Sequence, residues 1–174
     1  DTITGFEIEE IRANARRVNT IDGSTGTTAS LDVDLSANRL TIKGLPGIGS
    51  ASLKVVNFQN VNGSENADLI VGDDNANVLD GKGGNDTING MEGRDVVMYE
   101  DASAGVTINL QTGQATGTSI GTDSLTSIEA VHGSYYNDRI TLSNGDGYVF
   151  ARAGNDVITG GSNGEYIQPG SGSD

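Results

Sequence analysis

Four consecutive nine-residue units begin at Gly63 and constrain this chain more than any other feature: GSENADLIV, GDDNANVLD, GKGGNDTIN and GMEGRDVVM. Position six holds Asp68, Asn77, Asp86 and Asp95, and position eight holds Ile70, Leu79, Ile88 and Val97. A flexible linker has no reason to keep an apolar residue at a fixed period. A second array starts at Gly133: GSYYNDRIT, LSNGDGYVF, ARAGNDVIT, GGSNGEYIQ and a short PGSGSD. There position six reads Asp138, Gly147, Asp156, Glu165 and Asp174, and position eight reads Ile140, Val149, Ile158 and Ile167.

A longer duplication overlies the repeats. VVNFQNVNGSENADLIV (55–71) matches LTSIEAVHGSYYNDRIT (125–141), and the lead-ins LDVDL and VTINL alternate as strands do. The opening DTITGFEIEEIRANARRV is a weaker copy, with Arg16 where the others have Asp, so no site is expected there. It reads as solenoid rungs or a short capping helix. The expected organisation is a degenerate strand-rich solenoid or cap over 1–54 and a first array over 55–98. A β spacer over 99–132 and a second, truncated array over 133–174 follow. With no initiator Met and an end inside a Gly-rich stretch, the chain reads as a piece of a longer protein.

One unit supplies a three-residue strand with a single inward side chain, preceded by a turn whose glycines reach positive φ. Two units make one coil of about 18 residues, and coils stack about 4.8 Å apart. Asp68 then stacks on Asp86, Asn77 on Asp95, Asp138 on Asp156, and Asp156 on Asp174. Two carboxylates about 5 Å apart repel by roughly 3 kcal/mol at an effective dielectric near 20. The chain carries a net charge of -14, and Leu, Ile, Val and Phe supply only 40 of its 174 residues. Such a chain is not expected to fold alone. A hard divalent cation between turns reverses the sign. Ca²⁺ takes about 6–8 oxygens in flexible geometry, which paired carboxylates and Gly-rich turn carbonyls supply; Mg²⁺ is stricter and Zn²⁺ prefers N and S. GKGGNDTIN, with Gly81, Gly83 and Asp86, is thus read as half of a calcium cage.

The units GKGGNDTIN and ARAGNDVIT resemble the haemolysin-type (RTX) nonapeptide G-G-x-G-x-D-x-U-x. The spacer is similar to segments between such repeats in large secreted bacterial proteins. The resemblance covers residues 55–174 and is weak before them. It implies an all-β chain, a parallel β-roll or β-solenoid with two arrays joined by a strand-rich spacer. It also implies export by type I secretion machinery and folding in extracellular Ca²⁺. Metal ligation is carried onto Asp68/Asp86, onto Asp138/Asp156/Asp174 and onto Asn77/Asp95. Gly147 has no side chain to ligate with and Glu165 reaches further than Asp, so that pair is left out.

Other chemistry finds little support. There is no Cys and a single His, His132, which excludes disulfides, thiolate metal sites and multi-His clusters. The acidic balance argues against nucleic acid. No apolar run approaches the roughly 18 residues of a membrane helix, so no membrane insertion is expected. GTSIG (117–121), followed by Asp123 and His132, has the order of a Ser–Asp–His hydrolase, but a nucleophile elbow needs a strand–turn–helix. No catalytic residue is assigned. Tyr148, Phe150 and Tyr166 fall on outward strand positions, where a neighbouring segment or chain, or a glycan, would pack. Three roles follow: a structural calcium-binding module of a secreted or cell-surface protein, the accessory module of a secreted enzyme or toxin, or an adhesive or surface-layer module. The flanking gene sequence separates them.

Overall fold

The computed structural model describes residues 10–12, 18–24, 29–145 and 147–174. Every regular element among them is a strand. Strands β1 (Glu10–Arg12) and β2 (Thr20–Asp22) precede a meander of β3 (Ser30–Asp34), β4 (Arg39–Leu45) and β5 (Gly49–Val56). A single strand, β6 (Asn60–Asn62), leads to β7 (Leu69–Val71), β8 (Val78–Asp80), β9 (Thr87–Asn89) and β10 (Val96–Met98). The pattern then recurs. Strands β11 (Thr107–Asn109), β12 (Gln114–Gly117) and β13 (Gly121–Thr126) form a second meander, β14 (Ala130–His132) follows, and β15 (Arg139–Thr141), β16 (Tyr148–Phe150), β17 (Val157–Thr159) and β18 (Tyr166–Gln168) close the series. Of the opening segment 1–18, only Glu10–Arg12 and Val18 are described, so the expected rungs or capping helix and the Arg16 position lie outside the described residues.

Consecutive repeat strands go to opposite sheets, because each unit turns the chain back across the core. One sheet has seven strands, all parallel, in the order β18-β16-β14-β10-β8-β6-β2. The other has eleven, in the order β1-β5-β4-β3-β7-β9-β13-β12-β11-β15-β17. Its parallel pairs are interrupted by the two antiparallel meanders. The parallel pairing of the repeat strands is consistent with a β-roll.

Register follows from position eight. Ile21, Val61, Leu79, Val97, Val131, Val149 and Ile167 lie opposite one another in turn along the seven-stranded sheet. Val33, Ile70, Ile88 and Leu125 do the same on the other sheet, as do Ile108, Ile140 and Ile158. A one-residue slip would turn each apolar side chain outward, so the period of nine and the pleat together fix the pairing. The interior is one thin apolar layer between the sheets, in which Ile70, Leu79, Ile88, Val97, Ile140 and Val149 are fully buried. Burial falls away at the last strands, where Ile167 is 41% exposed.

A core only one residue deep per unit leaves no neighbour to fill a gap. Leu79→Ala is therefore expected to cost about 2–5 kcal/mol in the calcium-loaded chain, and Ile167→Ala less than about 1 kcal/mol. Urea unfolding in excess Ca²⁺ would measure both, and equal costs would contradict this layering.

Candidate metal sites in the repeat turns

The six-residue turns between strands place the acids of position six inside the molecule. Asp68, Asn77, Asp86, Asp95, Asp138 and Asp156 are all buried, whereas Asp174 is exposed. Each expected stacked pair is in contact. Asp86 Oδ1 accepts a hydrogen bond from the Asp68 N–H (2.9 Å), Asp95 Oδ1 from Asn77 (2.8 Å), Asp156 Oδ1 from Asp138 (2.8 Å) and Asp174 Oδ1 from Asp156 (2.9 Å). One carboxylate oxygen per residue thus ties its coil to the preceding one.

The second oxygen divides the turns into two kinds. In the turns 63–68, 72–77, 133–138 and 160–165, the N–H at position two points inward. Ser64 donates to Asp68 Oδ2 (2.6 Å), Asp73 to Asn77 Oδ1 (2.8 Å), Ser134 to Asp138 Oδ2 (2.7 Å) and Gly161 to Glu165 Oε1 (2.7 Å). The hydroxyls of Ser64 and Ser134 add bonds to Asp68 Oδ1 (3.0 Å) and Asp138 Oδ1 (2.6 Å). These turns close on themselves.

In the turns 81–86, 90–95 and 151–156, position two is left-handed: Lys82 has φ 68°, Met91 75° and Arg152 79°. The Lys82 and Met91 N–H groups are turned back to Asp80 Oδ1 (2.9 Å) and Asn89 Oδ1 (3.1 Å). Asp86 Oδ2, Asp95 Oδ2 and Asp156 Oδ2 are left buried with no hydrogen-bond partner. Position four in these turns is Gly84, Gly93 or Gly154, again at positive φ. A side chain there would strike the Asn66, Asn75 or Tyr136 carbonyl of the coil behind. The turn 169–174 has the same form, with Gly170 and Gly172 at positive φ.

A buried anionic oxygen without a donor is costly, and a hard cation is the partner that removes the cost. Gly81 opens such a turn, and a side chain there would collide with the Asp86 carboxylate; one at Gly83 would meet Glu65 Oε2. Among the described residues no three Asp, Glu, His or Cys side chains converge. An ion here would therefore draw most of its oxygens from backbone carbonyls. The residues fit Ca²⁺ in oxygen chemistry and in charge.

Burial pushes the Asp86 carboxyl up to about 8, with the neighbouring Asp123, Asp68 and Asp80 charges adding to it against the Asp68 N–H. Asp95 rises to about 6, again from burial first, then from Glu129 and Asp73. Burial likewise raises Asp68, Asp138 and Asp156.

Two residues of the spacer join these columns without any signal in the nine-residue register. Asp123 Oδ1 accepts from the Asp86 N–H (3.1 Å), while its Oδ2 accepts from the Tyr99 O–H (3.0 Å). Burial raises Asp123 to about 6. On the other column, Glu129 Oε2 accepts from the Asp95 N–H (2.9 Å). Asp123 therefore has structural partners, as do the other two residues of the hydrolase-like order. Ser119 Oγ accepts from the Ser103 N–H (3.0 Å), and His132 Nδ1 lies 3.2 Å from Glu100 Oε1. GTSIG itself spans the antiparallel turn between β12 and β13, with no helix after it.

The outward aromatic residues pack on one another. Tyr148 stacks on Tyr166 at 5.2 Å between centroids, and Phe150 meets Tyr148 and His132 edge-on at 4.6 and 5.0 Å. Arg152 pairs with Glu100 and lies over Tyr135.

A family model described as the RTX calcium-binding nonapeptide repeat (4 copies) matches residues 62–97, 132–164 and 143–174. These segments contain all the turns just described. No curated protein matches the chain.

Proposed function

Because the segments 62–97 and 132–174 belong to the RTX calcium-binding nonapeptide repeat family, whose repeats bind Ca²⁺, we propose that this chain is a structural β-roll module of a secreted or cell-surface bacterial protein. It folds on Ca²⁺ after passing type I secretion machinery in an extended state. The observation that carries this reading is the set of three buried carboxylate oxygens, on Asp86, Asp95 and Asp156, that the protein itself leaves unpaired. In the proposed assignment these three are the charged ligands, Asp174 joins them from the fourth left-handed turn, and carbonyls of turns such as Gly81–Asp86 complete the shells. Asp68, Asn77 and Asp138 form the stacked partners whose N–H groups orient the ligating carboxylates. The proposed organisation is a solenoid of two arrays, 55–98 and 133–174, a β spacer over 99–132 and a cap over 1–54. The alternative, an accessory module of a larger enzyme, toxin or surface layer, places the same calcium chemistry beside a partner domain.

Equilibrium dialysis against Ca²⁺ tests the assignment. The chain should take up several ions in preference to Mg²⁺, and the combined change Asp86→Ala, Asp95→Ala, Asp156→Ala should remove most of that uptake. Undiminished uptake by the triple variant would refute it.

A further inference from the structure

We propose that Glu129, outside both repeat arrays, is a calcium ligand that completes the site at Asp95. This rests on the calcium reading of the repeat turns. Asp95 is fully buried; its Oδ1 is taken by the Asn77 N–H, and its Oδ2 has no partner. That free oxygen is aimed at Gly90. A side chain on Gly90 would collide with both Asp95 Oδ2 and the Ser127 carbonyl, so the two oxygens converge on the space that glycine leaves. The Gly90 N–H does not fill the space, being donated to the Thr126 carbonyl (3.0 Å). Ser127 is left-handed at φ 50°. The Glu129 carboxylate arrives from the same segment and is held by the Asp95 N–H. Two carboxylates and a carbonyl thus gather at one turn, where Gly90 and Asp95 are buried and Glu129 is half-buried, and no ion pair among the described residues reaches either acid.

The local geometry explains why the residue is Glu. The segment from Thr126 to Ala130 has three residues between strands, whereas the Asn89 to Val96 turn on which it stacks has six. The shorter turn brings the Ser127 carbonyl and the Glu129 N–H, which donates to the Asp95 carbonyl (3.2 Å), against the turn below, and the longer side chain of Glu reaches back to the Asp95 N–H. The earlier copy of the motif serves as an internal control. Its turn Asn57–Gln59 has the same length and the same left-handed first residue, but carries neutral Gln59. Gln59 Oε1 accepts from the Asn19 N–H (3.0 Å), as Glu129 Oε2 does from Asp95, and the Asn19 amide donates to the Asn57 carbonyl (2.9 Å), the counterpart of the Ser127 carbonyl. A charge stands at 129, where a carboxylate oxygen and a carbonyl face each other without a donor, and none at 59, where the amide of Asn19 supplies that donor.

Glu129→Gln keeps an acceptor for the Asp95 N–H and removes only the charge. In the full chain, equilibrium dialysis should show one calcium ion lost or bound at least tenfold more weakly, with the β-sheet spectrum retained in saturating Ca²⁺. Asp95→Asn should lose the same ion, and the double variant no more than either alone. Wild-type uptake in Glu129→Gln would make Glu129 a structural cap and overturn the proposal, as would losses that add in the double variant. If the wild-type chain takes up no Ca²⁺, the reading of the repeats themselves fails; uptake by the wild type confines any failure to Glu129.

Discussion

Stripped of calcium at neutral pH, the chain should lose most of its β-structure, and millimolar Ca²⁺ should restore it. Seven Asp residues, at 68, 80, 86, 95, 123, 138 and 156, are at most 4% exposed, and the whole chain carries a charge of -14. The apolar layer that must offset this is one side chain deep per repeat. Each ion that binds only the folded form adds about 2.7 kcal/mol at a hundredfold excess over its Kd. Three ions at the three unpaired carboxylates would add about 8 kcal/mol, comparable with the roughly 5–15 kcal/mol net stability of an ordinary domain. Calcium is then the larger part of the stability rather than an addition to it. Far-UV circular dichroism in chelator, in Ca²⁺ and in Mg²⁺ would show this. A chelated chain with its full β signal would contradict it, and so would equal folding by Mg²⁺, whose strict octahedral shell suits carbonyl-rich turns poorly.

The sequence carried the coil and its register openly, because position eight has one physical task. Ile70, Leu79, Ile88 and Val97 must all point inward, and only one pairing of three-residue strands does that for every unit. The stacked acid pairs follow from the same arithmetic. The division of the turns into closed and left-handed kinds was also written at position four wherever position six carries an oxygen; the turn 142–147, with Gly145 at position four and Gly147 at six, joins neither kind. Gly84, Gly93, Gly154 and Gly172 mark the left-handed turns, and Asn66, Asn75, Tyr136 and Asn163 the closed ones. Its meaning depends on the carbonyl of the coil behind, which approaches too closely for any Cβ, and that contact is visible only once coils are stacked. Ser64 and Ser134 are a second such signal, since a hydroxyl at position two can satisfy the carboxylate that a cation would otherwise need. Asp123 and Glu129 were not legible. They reach their columns 37 and 34 residues after Asp86 and Asp95, instead of 18, because a meander and a shortened turn intervene. Periodicity has no purchase on a residue placed by a change of loop length.

Acid should partly replace calcium, and Asp86→Asn should do the same at neutral pH. Asp86 keeps its proton to about pH 8 in the calcium-free fold, against 3.8 for an ordinary Asp. Asp95 and Asp123 keep theirs to about 6. These folded-state values lie above the unfolded ones, so the fold binds more protons than the unfolded chain between about pH 4 and pH 8. Stability of the calcium-free fold therefore falls as pH rises through that window and recovers as pH falls. At Asp86 burial first, then the Asp123, Asp68 and Asp80 charges, disfavour the charged form. In chelator, β-structure should accordingly grow as pH is lowered from 8 to 4.5. Asn at 86 resembles the protonated acid: its oxygen still accepts from the Asp68 N–H, and Asn77 shows that a turn tolerates an amide at this position. The variant should thus be more structured than the wild type in chelator at pH 7.5, yet bind Ca²⁺ more weakly, since a ligand charge is gone. The two effects have opposite signs, which separates a ligand from a residue that merely packs. An Asp86→Asn chain that is destabilised both with and without calcium, or a chelated wild type indifferent to pH, would show that the Asp86 charge is not what calcium offsets.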